Sequence, residues 1–230
     1  MTATRPRPAT DQAEGRPDTR SRLLDAAEAL FAERGCETVS LREIGRAAGA
    51  KNVIAAQYWF TDRDGLVTAL IERHAPGIAE RRTALLDDYE RALADGTAGD
   101  EAERLHTLVG ALVRPEADKL DDGTSGAGYL RTVADMLTRP EPSTASIGMD
   151  AESGSVFRWR ALINPLLDAD AIELHRRFHA IRFMFVELAQ RTRAPGRTDH
   201  RLFVSQLVDS MTGLLGARSS AETLRLRERR

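Results

Sequence analysis

Apolar residues recur at helical spacing along most of the chain, and no segment shows the apolar–polar alternation of a half-buried strand. The first helix can be capped by Asp18 or Thr19. It is expected to end at about Arg34, because Gly35 follows where a left-handed stop is favoured. Its apolar face consists of Leu23, Leu24, Ala27, Leu30 and Phe31. The pattern predicts an all-α fold.

Two short helices are expected to follow. The segment Ser40-Leu41-Arg42-Glu43 can form a capping box, in which Ser40 and Glu43 each satisfy a free backbone N–H of the other. Gly49 breaks this helix, and the next one is expected from about Val53 to Tyr58, with Asn52 as its N-cap. Two short helices joined by a tight turn that contains glycine form a helix-turn-helix motif.

The third helix of this unit has two distinct faces. One face, which can pack on the other helices, consists of Val53, Ala56 and Phe60. The outward face consists of Ile54, Ala55, Gln57 and Tyr58. Small outward side chains allow a close approach to the major groove, where Gln can pair with adenine and Ile or Ala can meet thymine methyl groups. A packed helix of an ordinary all-α core is the alternative reading of the same residues.

Residues 26–66 resemble the N-terminal signature of the TetR family of bacterial transcription regulators. The matching segments are AAEALFAERG at 26–35, SLREIGRAAG at 40–49, Tyr58-Trp59-Phe60, and Arg63-Asp64-Gly65-Leu66. The sequence departs from the signature in a turn before Asn52 that is one residue longer, in Gly45 in place of Ala, and in Cys36 in place of an aromatic residue.

The resemblance implies an N-terminal three-helix head that binds DNA and a larger C-terminal helical domain for ligand binding and dimerisation. It implies that Ser40 and Arg42 touch phosphate, that the segment from Lys51 to Tyr58 supplies base and backbone contacts, and that Arg63 holds a phosphate. The residues expected to contact DNA are Ser40, Arg42, Lys51, Asn52, Ile54, Ala55, Gln57, Tyr58 and Arg63.

The chain divides into four expected segments. These are a disordered arm at 1–18, the helix-turn-helix domain at 19–74, the effector-binding and dimerisation domain at 75–217, and a C-terminal tail at 218–230 that ends as a frayed, solvated helix. A second reading of the arm is that its arginines, Arg5, Arg7, Arg16 and Arg20, add phosphate contacts.

Prolines and glycines suggest where the helices of the larger domain end. Helix 4 of the head should end near Pro76, with a new helix from about Ile78 to Ala94. Pro115 should end the helix that starts at Glu103, residues 121–128 should form a loop before a helix at 129–137, and residues 139–154 should be irregular.

The last two long helices carry the clearest apolar stripes and are apolar on two sides, which favours packing against both their own domain and a second copy. The family resemblance implies the same pairing. The residues expected at the dimer interface are Phe178, Ile181, Phe185, Leu188, Val204, Leu207, Met211 and Leu214. A fully buried hairpin in a monomer is the alternative.

The resemblance also implies a small-molecule pocket between helices, and the effector is unidentified. The aromatic residues and the methionine that can line it are Tyr129, Met136, Phe157 and Trp159. Such residues also pack in ordinary hydrophobic cores. Arg158 and Arg160 flank Trp159 and either favour an acidic ligand or form a solvated face.

Composition narrows the class of protein further. The formal net charge is −2, and basic residues are not in excess over the N-terminal domain, so local charges must guide DNA binding. The single cysteine, Cys36, excludes an internal disulfide, and no apolar run is long enough for a membrane span or a signal core, so we expect a cytoplasmic protein without membrane contact.

Catalytic and metal-binding motifs are weak. Gly123-Thr124-Ser125-Gly126-Ala127 only partly matches a nucleophile elbow, and His175 and His179 lack further metal ligands. We therefore expect no enzyme, no metal and no cofactor. The expected function is a ligand-responsive regulator, a repressor that binds a palindromic operator as a homodimer and is released by an effector. The alternative is a dimeric helical adaptor that does not bind DNA.

Overall fold

The computed structural model describes residues 18–50, 55–142, 152–194, 196 and 199–229. The helices are α1 (Thr19–Arg34), α2 (Leu41–Ala47), α3 (Ala55–Phe60), α4 (Arg63–Ala94), α5 (Glu101–Ala117), α6 (Gly123–Thr138), α7 (Gly154–Ile163), α8 (Ala169–Glu173), α9 (Arg176–Arg191), α10 (Arg201–Gly216) and α11 (Ala221–Arg227). Short 3₁₀ helices lie at Cys36–Thr38, Asp118–Asp121 and Asn164–Leu166. The all-α prediction is confirmed, since these ranges contain no strand. The expected arm, apart from Asp18, and most of the expected irregular segment at 139–154 lie outside the described residues.

The head consists of α1, α2, α3 and the start of α4, and its caps agree with the sequence rules. The Asp18 carboxylate accepts a hydrogen bond from the backbone N–H of Ser21 at 2.6 Å. The capping box of α2 is complete, because the Glu43 N–H donates to Ser40 Oγ and the Ser40 N–H donates to Glu43 Oε2. The hydrogen bonds that the Ser40 backbone N–H and hydroxyl donate to the Glu43 carboxylate, together with one from Arg34, lower the pKa of Glu43 to about 2. Ala56 and Phe60 bury one face of α3, as expected.

Two predicted helix ends are wrong, because both prolines lie inside helices. Helix α4 continues through Pro76, and α5 continues through Pro115 for two more residues. Proline in a helix interior costs about 3 kcal/mol relative to alanine. Pro76 is exposed, so water can solvate the carbonyl that it leaves free, and the helix beyond it buries Ile78, Leu86 and Tyr89. The expected boundary at 74/75 therefore falls within one continuous helix.

The loop expected at 121–128 is also wrong over most of its length, because α6 begins at Gly123. Small residues in this first turn look like loop residues in sequence, but here they allow α6 to approach α1 closely. A Cβ added at Gly128 would lie 2.4 Å from the carbonyl oxygen of Glu28. The backbones of α6 and α1 are therefore in direct contact where the two helices cross. Helix α6 packs on α9 as well.

The remaining core of the larger domain lies among α4, α5, α7 and α10. Trp159 of α7 is fully buried, and its indole N–H donates to the carbonyl oxygen of Leu108 in α5 at 2.8 Å. The C-terminal tail contains a helix, α11, whose Arg227 pairs with Asp170 and Glu173 around α8. Within the described ranges, no helix is long and apolar enough to cross a membrane.

The stripes on α9 and α10 face inward in the single chain. Five of the eight residues expected at a dimer contact are buried in the chain's own core: Ile181, Phe185, Leu188, Leu207 and Met211. Helical periodicity predicts which residues share a face, but it does not say whether that face packs on the chain's own core or on a second copy. Phe178 and Val204 are half-buried and Leu214 is exposed, so only these three of the set remain partly available to a second copy.

We expect Gly128→Ala to lower the free energy of unfolding by roughly 1–3 kcal/mol, because the added Cβ meets the rigid backbone of α1. Urea denaturation followed by circular dichroism measures this change. Gly77→Ala is the matched control in a helix, because nothing lies within 4 Å of its added Cβ. The control should gain about 0.5–1 kcal/mol. Equal effects of the two substitutions would contradict the close crossing.

Candidate nucleic-acid interface

The outward face of α3 presents Gln57, Tyr58 and Trp59 to solvent. Tyr58 is 81% exposed, and its ring meets that of Trp59 edge to face, with centroids 5.6 Å apart. Exposure of two large aromatic residues on a short helix is unusual unless they serve an interaction. Sequence reasoning missed Trp59, although its place between the outward Tyr58 and the buried Phe60 was a usable signal.

The other residues expected to contact DNA are only partly described. Lys51, Asn52 and Ile54, together with the side chain of Ala55, lie outside the described residues. Ser40 and Arg42 are exposed at the start of α2, the position from which a helix N-terminus can meet a phosphate. The Ser40 hydroxyl also donates to Glu43 Oε2 at 2.8 Å, within the capping box.

Arg63 begins α4 shortly after α3, the expected recognition helix, but its guanidinium is turned toward the loop between α1 and α2. Both terminal nitrogens donate to the backbone carbonyl of Glu37 at 3.1 Å, and one also donates to the carbonyl of Val39. Arg63 therefore ties the start of α4 to the loop that leads into α2. The expected phosphate contact requires at least part of this arrangement to change.

The Glu37 carboxylate lies between two arginines from different parts of the chain. Its Oε1 accepts from Nε of Arg139 at 2.8 Å and from Nη2 at 2.5 Å, and its Oε2 lies 3.5 Å from Arg63. Desolvation acts to lower the pKa of Arg139, but the hydrogen bond and charge of Glu37 outweigh it and raise that pKa. Arg139 follows the last residue of α6, so this carboxylate connects the head with the larger domain.

Cys36 lies at the same junction. Its backbone N–H donates to Asp135 of α6 at 2.9 Å, and its thiol is buried. Burial and the nearby Asp135 carboxylate raise the pKa of the thiol to about 12, so it stays protonated at neutral pH. Cys36 therefore acts as a small core residue here.

A second junction between head and larger domain is centred on Glu28 of α1, whose side chain is only 2% exposed. Its carboxylate accepts from Ser125 Oγ at 2.6 Å, lies 3.0 Å from Nε2 of His74, and pairs with Arg73 at 3.4 Å. The serine of the partial nucleophile-elbow match thus lies in the first turn of α6 and binds this carboxylate.

Buried polar contacts continue from His74 into the larger domain. The rings of His74 and Tyr129 stack with centroids 4.6 Å apart, and the Tyr129 hydroxyl donates to Glu116 at 2.9 Å. Arg82 pairs with Glu116 at 2.8 Å and donates to Ser155 of α7 at 3.2 Å. Desolvation raises the pKa of Glu116 and, together with Glu116, that of Tyr129. The Nε of Arg82 is buried without a hydrogen-bond partner.

The four residues expected to line a ligand pocket do not share one environment. Tyr129, Met136 and Trp159 are buried, whereas Phe157 is 40% exposed at the surface. Arg158 pairs with Asp87 at 2.6 Å and with Glu90 at 2.5 Å, and these contacts raise its pKa. Its charge is therefore already neutralised by acidic neighbours.

Among the described residues, no group of three or more His, Cys, Asp or Glu side chains is placed to hold a metal ion, and this includes the surroundings of His175 and His179. His175 has a φ of 55° and lies immediately before α9.

Comparisons with known proteins find a family model and solved structures that are similar to this chain. Residues 23–70, from α1 into α4, match the family model described as bacterial regulatory proteins, tetR family. A solved regulatory protein of the tetR family from Rhodococcus RHA1 is 15% identical, with a TM-score of 0.50 over 89% of this chain and 100% of that one. PfmR, a TetR family transcriptional regulator from Thermus thermophilus, is 16% identical, with a TM-score of 0.48 over 89% and 100%.

The similarity to solved structures concerns the fold alone at this level of identity, and no curated protein sequence matches the chain. The family match covers most of the head, because α2, α3 and the start of α4 all lie within the matched residues. The segment from residue 23 to residue 70 thus forms a helix-turn-helix domain of the type found in bacterial regulatory proteins of the tetR family.

Proposed function

We propose that this protein is a repressor that binds a palindromic operator as a homodimer and is released by a small-molecule effector. The observation that supports DNA binding is the exposure of Gln57, Tyr58 and Trp59 on the outward face of α3. The opposite face of this helix is buried in the head. Gln57 is suited to paired hydrogen bonds with adenine in the major groove. Tyr58 can donate to a phosphate from the same helix.

We expect Gln57→Ala to weaken binding to the operator by about 1–3 kcal/mol and to relax preference at one base pair. The duplex is taken from the region upstream of the protein's own gene, and fluorescence anisotropy at fixed salt gives the affinity. The matched control is Gln190→Ala, because Gln190 is exposed on α9, far along the chain from the head. Unchanged affinity and base preference in the Gln57 variant would contradict the assignment of Gln57 to the face of α3 that contacts DNA.

If the wild-type protein does not shift this duplex even at low salt, the repressor proposal fails. A helical adaptor without DNA binding would then be the better reading.

Dimerisation is proposed through the outer faces of α9 and α10 rather than through their buried stripes. A groove of about 410 Å³ lies between these helices and is lined by residues that include Phe183, Phe203 and Ser210. Gly213 and the exposed Leu214 continue the same face of α10. Small residues beside large apolar ones allow two helix pairs to approach as a four-helix bundle. The two-fold axis would then set the two recognition helices about 34–36 Å apart for successive major grooves.

We expect Leu214→Asp to convert a dimer into a monomer, because it places a charge in the proposed contact while leaving the core intact. Light scattering at micromolar concentration measures the mass. Leu93→Asp is the matched control, since Leu93 of α4 is similarly exposed, at 42% against 37% for Leu214. A wild-type monomer, or equal masses for the two variants, would contradict the proposed interface.

The effector site is proposed around Tyr129, Trp159 and Arg82 in the larger domain. The unpartnered Nε–H of Arg82 is buried and would be satisfied by an oxygen acceptor of a ligand. The neighbouring charges are already balanced, because Arg82 pairs with Glu116. A further buried anion would lack a partner and would be costly. A neutral amphipathic molecule with a carbonyl or hydroxyl oxygen therefore fits better than an acid.

Trp159 provides a way to test this proposal, because Trp59→Phe leaves it as the only tryptophan of the chain. We expect methyl esters of medium-chain fatty acids to change Trp159 fluorescence more than the corresponding acids do. An ester that does so should weaken operator binding by roughly 5–150-fold. A molecule that changes Trp159 emission but leaves operator affinity unchanged would contradict coupling between this site and DNA binding.

A further inference from the structure

Glu37 lies where a DNA phosphate would have to compete with it. Arg63 follows the recognition helix at the start of α4, and its side chain remains 32% exposed. One terminal nitrogen of Arg63 is 3.5 Å from Glu37 Oε2, a long contact compared with the bonds that the same carboxylate makes to Arg139. A carboxylate and a phosphate offer an arginine the same kind of acceptor.

Arg139 determines how much of the Glu37 charge Arg63 experiences. Its Nε and Nη2 both donate to Oε1 of Glu37, and its Nη1 lies 3.8 Å from Asp64. This guanidinium therefore neutralises two carboxylates that flank Arg63. Without Arg139, the Glu37 charge would be left to Arg63 alone, and the approach of a phosphate would be opposed by two acidic side chains.

We propose that Glu37 is an internal competitor for the DNA phosphate at Arg63, and that Arg139, a positioning residue of the larger domain, sets the strength of this competition. The inference rests on the proposed DNA binding by the head. It extends the control of DNA affinity to a residue outside the matched helix-turn-helix segment, residues 23–70. Because Arg139 follows α6, displacement of that end of α6 changes how much of the Glu37 charge faces Arg63.

Exchange of a carboxylate for a phosphate also affects the salt dependence of binding. Each phosphate neutralised by a previously free cation contributes about −0.9 to the slope of log affinity against log salt, through release of counterions from the DNA. An arginine that is already paired contributes less, because it releases its own carboxylate on binding. Removal of the Glu37 charge should therefore both strengthen binding and steepen the slope.

The test is a double-mutant cycle of Glu37→Gln and Arg139→Gln, with affinity for the upstream duplex measured by anisotropy across a salt series. We expect Glu37→Gln to bind about threefold to tenfold more tightly at low salt, with a slope steeper by up to about 0.9. Arg139→Gln should bind several-fold more weakly. In the Glu37→Gln background the same Arg139 substitution should change affinity less than twofold, because only the long contact to Asp64 at 3.8 Å is then lost.

Glu33→Gln is the matched control, because it removes one exposed carboxylate of the same type from α1 in the head. Thermal melting of each variant confirms that the fold persists. Equal strengthening by the Glu33 and Glu37 substitutions would overturn the inference, since the effect would then be one of overall charge. An Arg139 effect of undiminished size without Glu37 would also overturn it, since Arg139 would then act on DNA affinity by a route other than Glu37. Failure of the wild type to bind DNA would instead refute the proposed function, and this inference with it.

Discussion

The structure depends on the close crossing of α6 over α1. Gly128 allows the two backbones to approach so closely that the Cβ of any other residue would clash with the carbonyl of Glu28. The same crossing removes the Glu28 carboxylate from water, which would be unfavourable without partners. Ser125 and His74 supply those partners from α6 and α4. Steric fit at Gly128 and the hydrogen bond from Ser125 to Glu28 thus both fix α6 against α1. Through this contact the head is held on the larger domain.

The buried Arg82–Glu116 pair requires a different explanation from ordinary stability. Burial of both charges carries a desolvation cost that their attraction only partly offsets, so apolar residues of similar volume would serve the core as well or better. The pair does fix α4 against α5, and its contacts to Tyr129 and Ser155 bring in α6 and α7. It therefore favours one arrangement of four helices over alternatives that would leave a buried charge unpaired.

Local signals in the sequence predicted the head well. The caps by Asp18 and Ser40 and the buried positions Ala56 and Phe60 follow from short-range chemistry, which a single sequence contains. Glu28 and Glu37 look like ordinary surface residues of a helix and a loop. Their roles depend on partners 97 and 102 residues away along the chain. No local pattern carries that information, and it becomes visible only when α6 is packed on the head.

The wrong helix ends have the same origin, because they too depend on tertiary contacts. Pro76 and Pro115 are helix breakers by local rules, yet tertiary packing on either side of each proline maintains the helix.

Helix α6 contacts the head at both of its ends, and this arrangement limits how the two parts can move. Ser125 binds α1 at the first turn of α6, while Asp135 and Arg139 bind the loop after α1 at the last turn and beyond. Tyr129 lies between these contacts and faces the buried polar residues of the larger domain. A rotation of α6 about its own axis would break bonds at both ends, whereas a tilt about the Gly128 crossing would strain one end and spare the other. Tilting is therefore the less costly movement, and the contact between Glu37 and Arg139 lies at the end farther from that pivot.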